Sequence, residues 1–410
     1  MRSLIRSQIP KKIFSTKQLR FFSAEKFFTV GDTQDLNEIL SGHIAGEIID
    51  AGVDLRTARP GSVIEVPYEI SVGNSIRDFW QSAFYSHDRI NTSTPFARKL
   101  GFQDQVLPYG LMVFLCAAMS HADQAKVQVG FQEANYHWPA FAGDTFKKRF
   151  IIRSLRSTSK GDSVFHIGCE LINQRDRLVF SCEKQMLFPF TVPPSNTEVP
   201  KKEVNEDDND LLAHLIGQSE VLQTIGSQTL RSVRPGQLIL HKMTRPLSVA
   251  YSMQLSSLAR LTHDRHFNTA VYSEDELYIP GGLVLALTCA QASRDLHEVL
   301  YEKLDQCIFP VSLHPKEPVS SITFVKSLKE HVSGDMEQIK VRTIGVKGID
   351  TSRELIGKQI PLELLTGPLL RPKAFEELLE KECPELSKKC VCVADRTLYR
   401  QAPKHVPFLL

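Results

Sequence analysis

Four residues within one short stretch can do proton chemistry: His263, Asp264, His266 and Asn268. An imidazole titrates near neutral pH, and a carboxylate beside it fixes its orientation and makes it a competent general base. In an extended segment Asp264 and His266 project to the same side. That geometry makes His266 the acid/base, Asp264 its orienter and Asn268 the group that holds a water or a carbonyl. A thinner version occurs earlier, as His87, Asp88 and Asn91. The structural alternative is that Asp turns the loop, Arg bridges neighbouring elements and His fills the edge of a cleft.

The elements that position these residues are written twice. Tyr85 to Thr92 reads YSHDRINT, and Thr262 to Thr269 reads THDRHFNT. Arg59-Pro60-Gly61 precedes the first pattern, with Pro60 27 residues before His87. Arg234-Pro235-Gly236 precedes the second, with Pro235 28 residues before His263. Pro108-Tyr109-Gly110-Leu111 follows the first and Pro280-Gly281-Gly282-Leu283 the second, and Gly143-Asp144 and Gly334-Asp335 come after these. Landmarks repeated in one order, far beyond solenoid periods, indicate a duplicated domain.

Hydrophobic periodicity supplies the elements. Ser62 to Ile70 reads as a strand, and Ile76 to Phe84 as a helix with Ser75 as N-cap. Residues 86–94 read as loop, Pro95 to Gly101 as a short helix, and Leu111 to His121 as a fully buried helix. Strands follow near 127–137, 145–156, 163–173 and 178–188. In these, Lys147, Lys148, Arg149 and Arg153 read as an exposed strand face. The second copy repeats the order: strand 237–243, helix 248–261, loop 262–279, buried helix 283–296, strands 318–329 and 335–347. A charged helical segment within 350–388 departs from the first copy, and a last strand begins at Cys390. Cys390-Val391-Cys392 reads as a strand with two small residues on one face.

Composition narrows the class. With 410 residues, 42% hydrophobic and 23% charged, the chain has globular proportions. A net charge of +2 offers no global attraction to nucleic acid, and no apolar run nears the roughly 18 residues of a membrane span. Eight cysteines are too sparse for a disulfide scaffold, and no cluster has metal-ligand spacing. Residues 1–24 carry six Lys or Arg and no Asp or Glu, the composition of a mitochondrial transit peptide. The expected organisation is a transit peptide at 1–24, a first domain at 25–190, a polar linker at 191–226 and a second domain at 227–410. The expected location is the mitochondrial matrix.

The ordered set of motifs resembles the MaoC-like hot-dog enzymes, the (R)-specific enoyl-CoA hydratases and dehydratases. Its best segments are Asn91 to Leu115 with Phe141-Ala142-Gly143-Asp144-Thr145, and Arg265 to Asn268 with Pro280-Gly281-Gly282. Within that family it is most similar to the two-domain mesaconyl-CoA hydratases. The resemblance implies an α+β double hot-dog, each half a curled antiparallel sheet around a buried helix. It implies a CoA-thioester substrate and no cofactor, with a homodimer as an admissible assembly. It also implies that a backbone N–H at Gly110 or Gly282 receives the thioester carbonyl, and that Asn91, Asp88, Arg265 and Arg89 line the substrate, an arginine meeting a free carboxylate. The family's usual Asp/His pair is not intact. If Asn91 holds the histidine position, Ser86 holds that of the aspartate; if His266 holds it, Leu261 does. The expected activity is hydration of a short, branched dicarboxylic enoyl-CoA such as mesaconyl-CoA. The alternatives are a non-catalytic acyl-thioester-binding subunit and a 3-hydroxyacyl-thioester dehydratase of mitochondrial fatty-acid synthesis.

Overall fold

Two helices with no polar face organise the tertiary structure. In the computed structural model, Tyr109–Ala117 buries every side chain from Leu111 to Ala117. Gly281–Ser293 buries nearly all of its own. Each large apolar side chain so withdrawn from water contributes roughly 1.5–3 kcal/mol. Both helices follow a proline, Pro108 and Pro280, and neither has a side-chain cap. Gly110 lies against Ala286, and Gly282 against Phe114, so the two helices pack antiparallel. The start of the second therefore lies toward the end of the first.

The structure describes Gly46 and residues 54–119, 124–193, 195, 197, 199–200, 210–227, 230–330 and 335–403. The expected transit peptide, 1–24, lies outside these, as does Gly334. All described residues except Gly46 belong to one unit, Gly52–Leu410. Its strands are Val63–Glu65 (β1), Ile70–Ser71 (β2), Val127–Tyr136 (β3), Thr145–Ser157 (β4), Ser163–Asn173 (β5), Leu178–Phe188 (β6), Leu238–Leu240 (β7), Val299–Ile308 (β8), Val319–Glu330 (β9), Met336–Lys347 (β10) and Cys390–Gln401 (β11). Its helices are Asn74–Phe84 (α1), Arg89–Thr92 (α2), Thr94–Lys99 (α3), Tyr109–Ala117 (α4), Asp210–Gly217 (α5), Ser219–Ile225 (α6), Val249–Leu258 (α7), Gly281–Ser293 (α8), Thr351–Glu354 (α9), Leu362–Thr366 (α10) and Pro372–Glu382 (α11).

The strands form one sheet in the order β1-β4-β5-β6-β3-β8-β11-β10-β9-β7, with β2 also on β4. The order is a palindrome in the repeat: β7, β9, β10, β11 and β8 answer β1, β4, β5, β6 and β3. The seam is the antiparallel pair β3–β8, where Gly130 faces Ile308 and Phe131 faces Cys307.

Several sequence readings change. Helix α1 starts at Asn74 after Gly73, so Ser75 is not its cap. The expected first strand is two short pieces, β1 and β2, both on β4. Residues 86–94 are not all loop, because they contain α2 and the start of α3. Strand β8 was unmarked in the periodicity. The stretch read as a polar linker holds α5 and α6, whose Leu211, Leu215 and Leu222 are buried. Lys148 and Arg153 are buried rather than exposed. Segment 350–388 folds as α9 to α11 and packs Leu364, Phe375 and Leu379 onto Ile322, Ile344 and Val393 of the sheet. A bulge in β11 at Val391, opposite Gly345/Val346, breaks the register between Cys390 and Cys392. Cys392 joins the main core and Cys390 the core under the insertion, so they do not share a face.

Candidate active site

The antiparallel helices leave a cavity at each helix start. One, of about 120 Å³, is lined by Gly110, Asp88, Asn91, Ser86, Glu302 and Arg396 among others. The other, of about 350 Å³, is lined by Gly282, Gly281, His266, His263, Arg265 and Leu261, with Lys126, Gln128 and Lys184 from the first half. The sequence-predicted residues thus separate into two places. Arg89, Asp264 and Asn268 line neither cavity.

At the larger cavity the loop before α8 is not extended. Asp264–His266 forms one turn of 3-10 helix, with the His263 side chain accepting from Arg265 N–H at its start. Residues two apart in such a turn do not share a side, so Asp264 stands exposed and does not orient His266. The orienting group is the carbonyl of Tyr278, 2.9 Å from His266 Nδ1. A carbonyl only accepts, so Nδ1 carries the proton and the Nε2 lone pair is left for chemistry. Burial, the largest influence, lowers the His266 pKa to about 4, so the ring is neutral at physiological pH. His263 is engaged at both nitrogens: Nε2 donates to Ala125 O at 2.8 Å, and Nδ1 accepts from Arg265 N–H. Asn268 is turned to its own loop, accepting from Ala270 N–H at 3.2 Å. Arg265 donates to Glu276 O and lies over the Tyr272 ring, its guanidinium carbon 4.0 Å from the centroid.

The amides of Gly281 and Gly282 open α8, where the first turn has no intrahelical acceptors. They give the cavity a positive end suited to an oxygen acquiring negative charge. A Cβ on Gly282 would lie 2.9 Å from the Phe114 ring, so glycine is what lets α8 meet α4 this closely.

At the smaller cavity the loop residues are engaged in structure. Asp88 accepts from Val299 N–H at 2.8 Å, and Arg89 pairs with Glu298 at 2.8 Å, both contacts crossing to the second half. Asn91 donates to Val106 O at 2.8 Å. Burial pushes the Asp88 carboxyl up to about 8. His87 meets the Tyr85 ring edge-on with centroids 4.8 Å apart and lines neither cavity.

Among solved structures, the chain is similar to a MaoC domain protein of Chloroflexus aurantiacus J-10-fl named as a dehydratase. That similarity has a TM-score of 0.69 at 17% identity, over 88% of this chain and 100% of that one. A conserved hypothetical protein of Mycobacterium tuberculosis, described as a double hotdog fold, is similar at a TM-score of 0.62 and 16% identity, over 86% and 99% of the two chains. The chain has a double hot-dog fold. A protein described as a MaoC-like dehydratase is similar at a TM-score of 0.52 and 12% identity, over 84% and 99%. No family model matches the sequence, and neither does any curated protein. At these identities the likeness is one of fold.

In this double hot-dog the two cavities are pseudo-symmetric in place and differ in their ionisable linings. The smaller contains Asp88 and Glu302, the latter paired with Arg396 at 2.7 Å. The larger has no Asp or Glu in its wall, while Lys126, Lys184 and Arg265 all line it. Lys184 donates to Ala117 O at 2.8 Å at the end of α4, and burial lowers its pKa. Sequence reasoning missed Lys126, Gln128, Tyr278 and Lys184. Their only shared signal is position at the start of β3, on β6 or just before Pro280. No described helix is long and apolar enough to cross a membrane.

Proposed function

We propose that this chain is a hydratase/dehydratase of short enoyl-CoA thioesters acting at the larger cavity, with His266 as its acid/base. One observation carries the proposal: a neutral histidine with a spare Nε2 faces a cavity that has cationic side chains, no carboxylate and two helix-start amides. In hydration, Nε2 takes a proton from water while the water oxygen bonds to the β carbon of the conjugated thioester. Charge passes to the thioester oxygen, which the Gly282 or Gly281 amide stabilises. The imidazolium then returns its proton to the α carbon, so one water is added across the double bond. Dehydration reverses each step. Arg265, in a wall without carboxylates, favours a substrate with a free carboxylate, which supports a dicarboxylic acyl group such as mesaconyl. The basic, acid-free residues 1–24 support a location in the mitochondrial matrix.

Hydration of mesaconyl-CoA, with crotonyl-CoA beside it, is followed by loss of the conjugated-thioester absorbance. His266→Ala should lose about 100-fold or more in kcat, the scale of a general acid/base. In the wild type kcat/KM should stay level from about pH 8 to about pH 6 and fall only toward about pH 4, as His266 gains its proton. Equal rates in both proteins would remove His266 from the mechanism. Leu261, apolar where a carboxylate stands in the usual pair, favours the second reading, a non-catalytic thioester-binding subunit. That reading takes precedence if the folded wild type hydrates neither thioester and dehydrates none of a panel of longer 3-hydroxyacyl thioesters.

A further inference from the structure

Gln128 lies on β3 in the first half, yet its side chain ends at the start of α8 in the second. Its amide carbon and oxygen lie 3.2 Å from the point a Cβ on Gly281 would occupy. Its Nε2 is buried and has no hydrogen-bond partner, and the residue lines the larger cavity beside Gly282 and His266. Packing alone does not explain an amide here. A methionine would fill the same space without burying an N–H that lacks an acceptor. A polar group kept at this cost at the mouth of a cavity is matched by an acceptor that enters with the ligand. Gly281, at the start of α8, packs against this same side-chain amide.

We infer that Gln128 Nε2 is a second donor to the substrate's thioester carbonyl, completing from the first half an oxyanion site whose backbone donors come from the second. The inference rests on the hydratase reading of this cavity. It makes β3 a catalytic element and explains why a seam between the halves runs beside the site. During hydration the Gln128 N–H and an α8 amide share the charge that reaches the carbonyl oxygen. A donor realised mainly in the transition state raises kcat more than it lowers KM.

The test uses the full chain, Gln128→Met and the isosteric Gln128→Glu, and His266→Ala. Two readouts are taken: the kinetics of hydration, and the red shift of cinnamoyl-CoA absorbance on binding, which reports polarisation of the carbonyl. Gln128→Met should lose about 100-fold in kcat, as when one oxyanion donor is removed, with KM within about threefold. Gln128→Glu, which substitutes an acceptor, should lose at least as much. Both should lose most of the red shift, and His266→Ala should keep it while losing turnover. A red shift and kcat unchanged in both Gln128 variants overturns the assignment and leaves the hydratase reading standing. A wild type that binds the probe with a red shift but hydrates nothing fails the hydratase reading, while the shift in the variants still decides for or against Gln128. A wild type that neither binds nor hydrates overturns both.

Discussion

Glycines 110 and 282 stand at equivalent helix starts with unequal room. A Cβ on Gly110 would meet Trp80 at 3.4 Å and Ala286 at 3.5 Å, ordinary contact distances, whereas one on Gly282 would lie 2.9 Å from Phe114. Gly282→Ala should therefore lower stability by about 1–3 kcal/mol through overpacking. Gly110→Ala should be neutral or gain up to about 1 kcal/mol from reduced backbone freedom. Urea denaturation of the two variants checks this, and equal effects would mean that the helices yield at their crossing. At this scale His266 was legible as a candidate from its type and neighbours. Its orienter was not, because a backbone carbonyl at Tyr278 has no side-chain signature. Gln128 was invisible for a related reason: one glutamine on a strand gains meaning only from what faces it.

The duplicated loops show how one pattern diverges as an element. Before α4, the loop ties the halves together through Asp88 to Val299 N–H and Arg89 to Glu298. Before α8, the matching loop keeps a histidine nitrogen free. Asp88 carries a testable consequence. Burial raises its pKa to about 8, so the folded chain holds a proton that the unfolded chain has already released. The stability linked to this group is full below the ordinary carboxylate value of about 4 and is lost as pH rises toward about 8, where the folded state binds more protons than the unfolded. Asp88→Asn keeps an oxygen for Val299 N–H and has no titrating proton. Its Tm should rise relative to wild type as pH increases from about 5 to about 8. Thermal denaturation across that range reads the difference, and a pH-independent offset would discard the buried-proton account. The missed strand β8 belongs here too. Its sequence, Val-Leu-Tyr-Glu-Lys-Leu-Asp-Gln-Cys-Ile, alternates poorly because register shifts at Leu300 and Asp305 throw its side chains out of phase.

For the whole molecule the seam is decisive. β3 and β8 join a six-strand set and a five-strand set into one sheet, and β3 also brings Gln128 to the second half's cavity. Gly130 has its Cα opposite Ile308, and a Cβ there would collide with the Cys307 carbonyl oxygen. Gly130→Val should force the strands apart, costing about 1–3 kcal/mol or more and lowering activity with it. Denaturation and hydration rate measured on one sample test the link. Full activity in a destabilised variant would show that the site does not need the seam.

The sequence by itself determined the duplication, the two buried helices, most of the strands and the histidine worth testing. These follow from local order and periodicity, which the chain carries residue by residue. Only the tertiary structure decided that Asp264 turns to solvent, that Tyr278 orients His266, and that most of the candidate residues divide between two cavities while Arg89, Asp264 and Asn268 line neither. It also decided that Gln128 and Lys184 reach the second half's site from the first. Those facts depend on antiparallel packing of α4 and α8 and on the register of β3 with β8, contacts between residues far apart in the chain that no local pattern encodes.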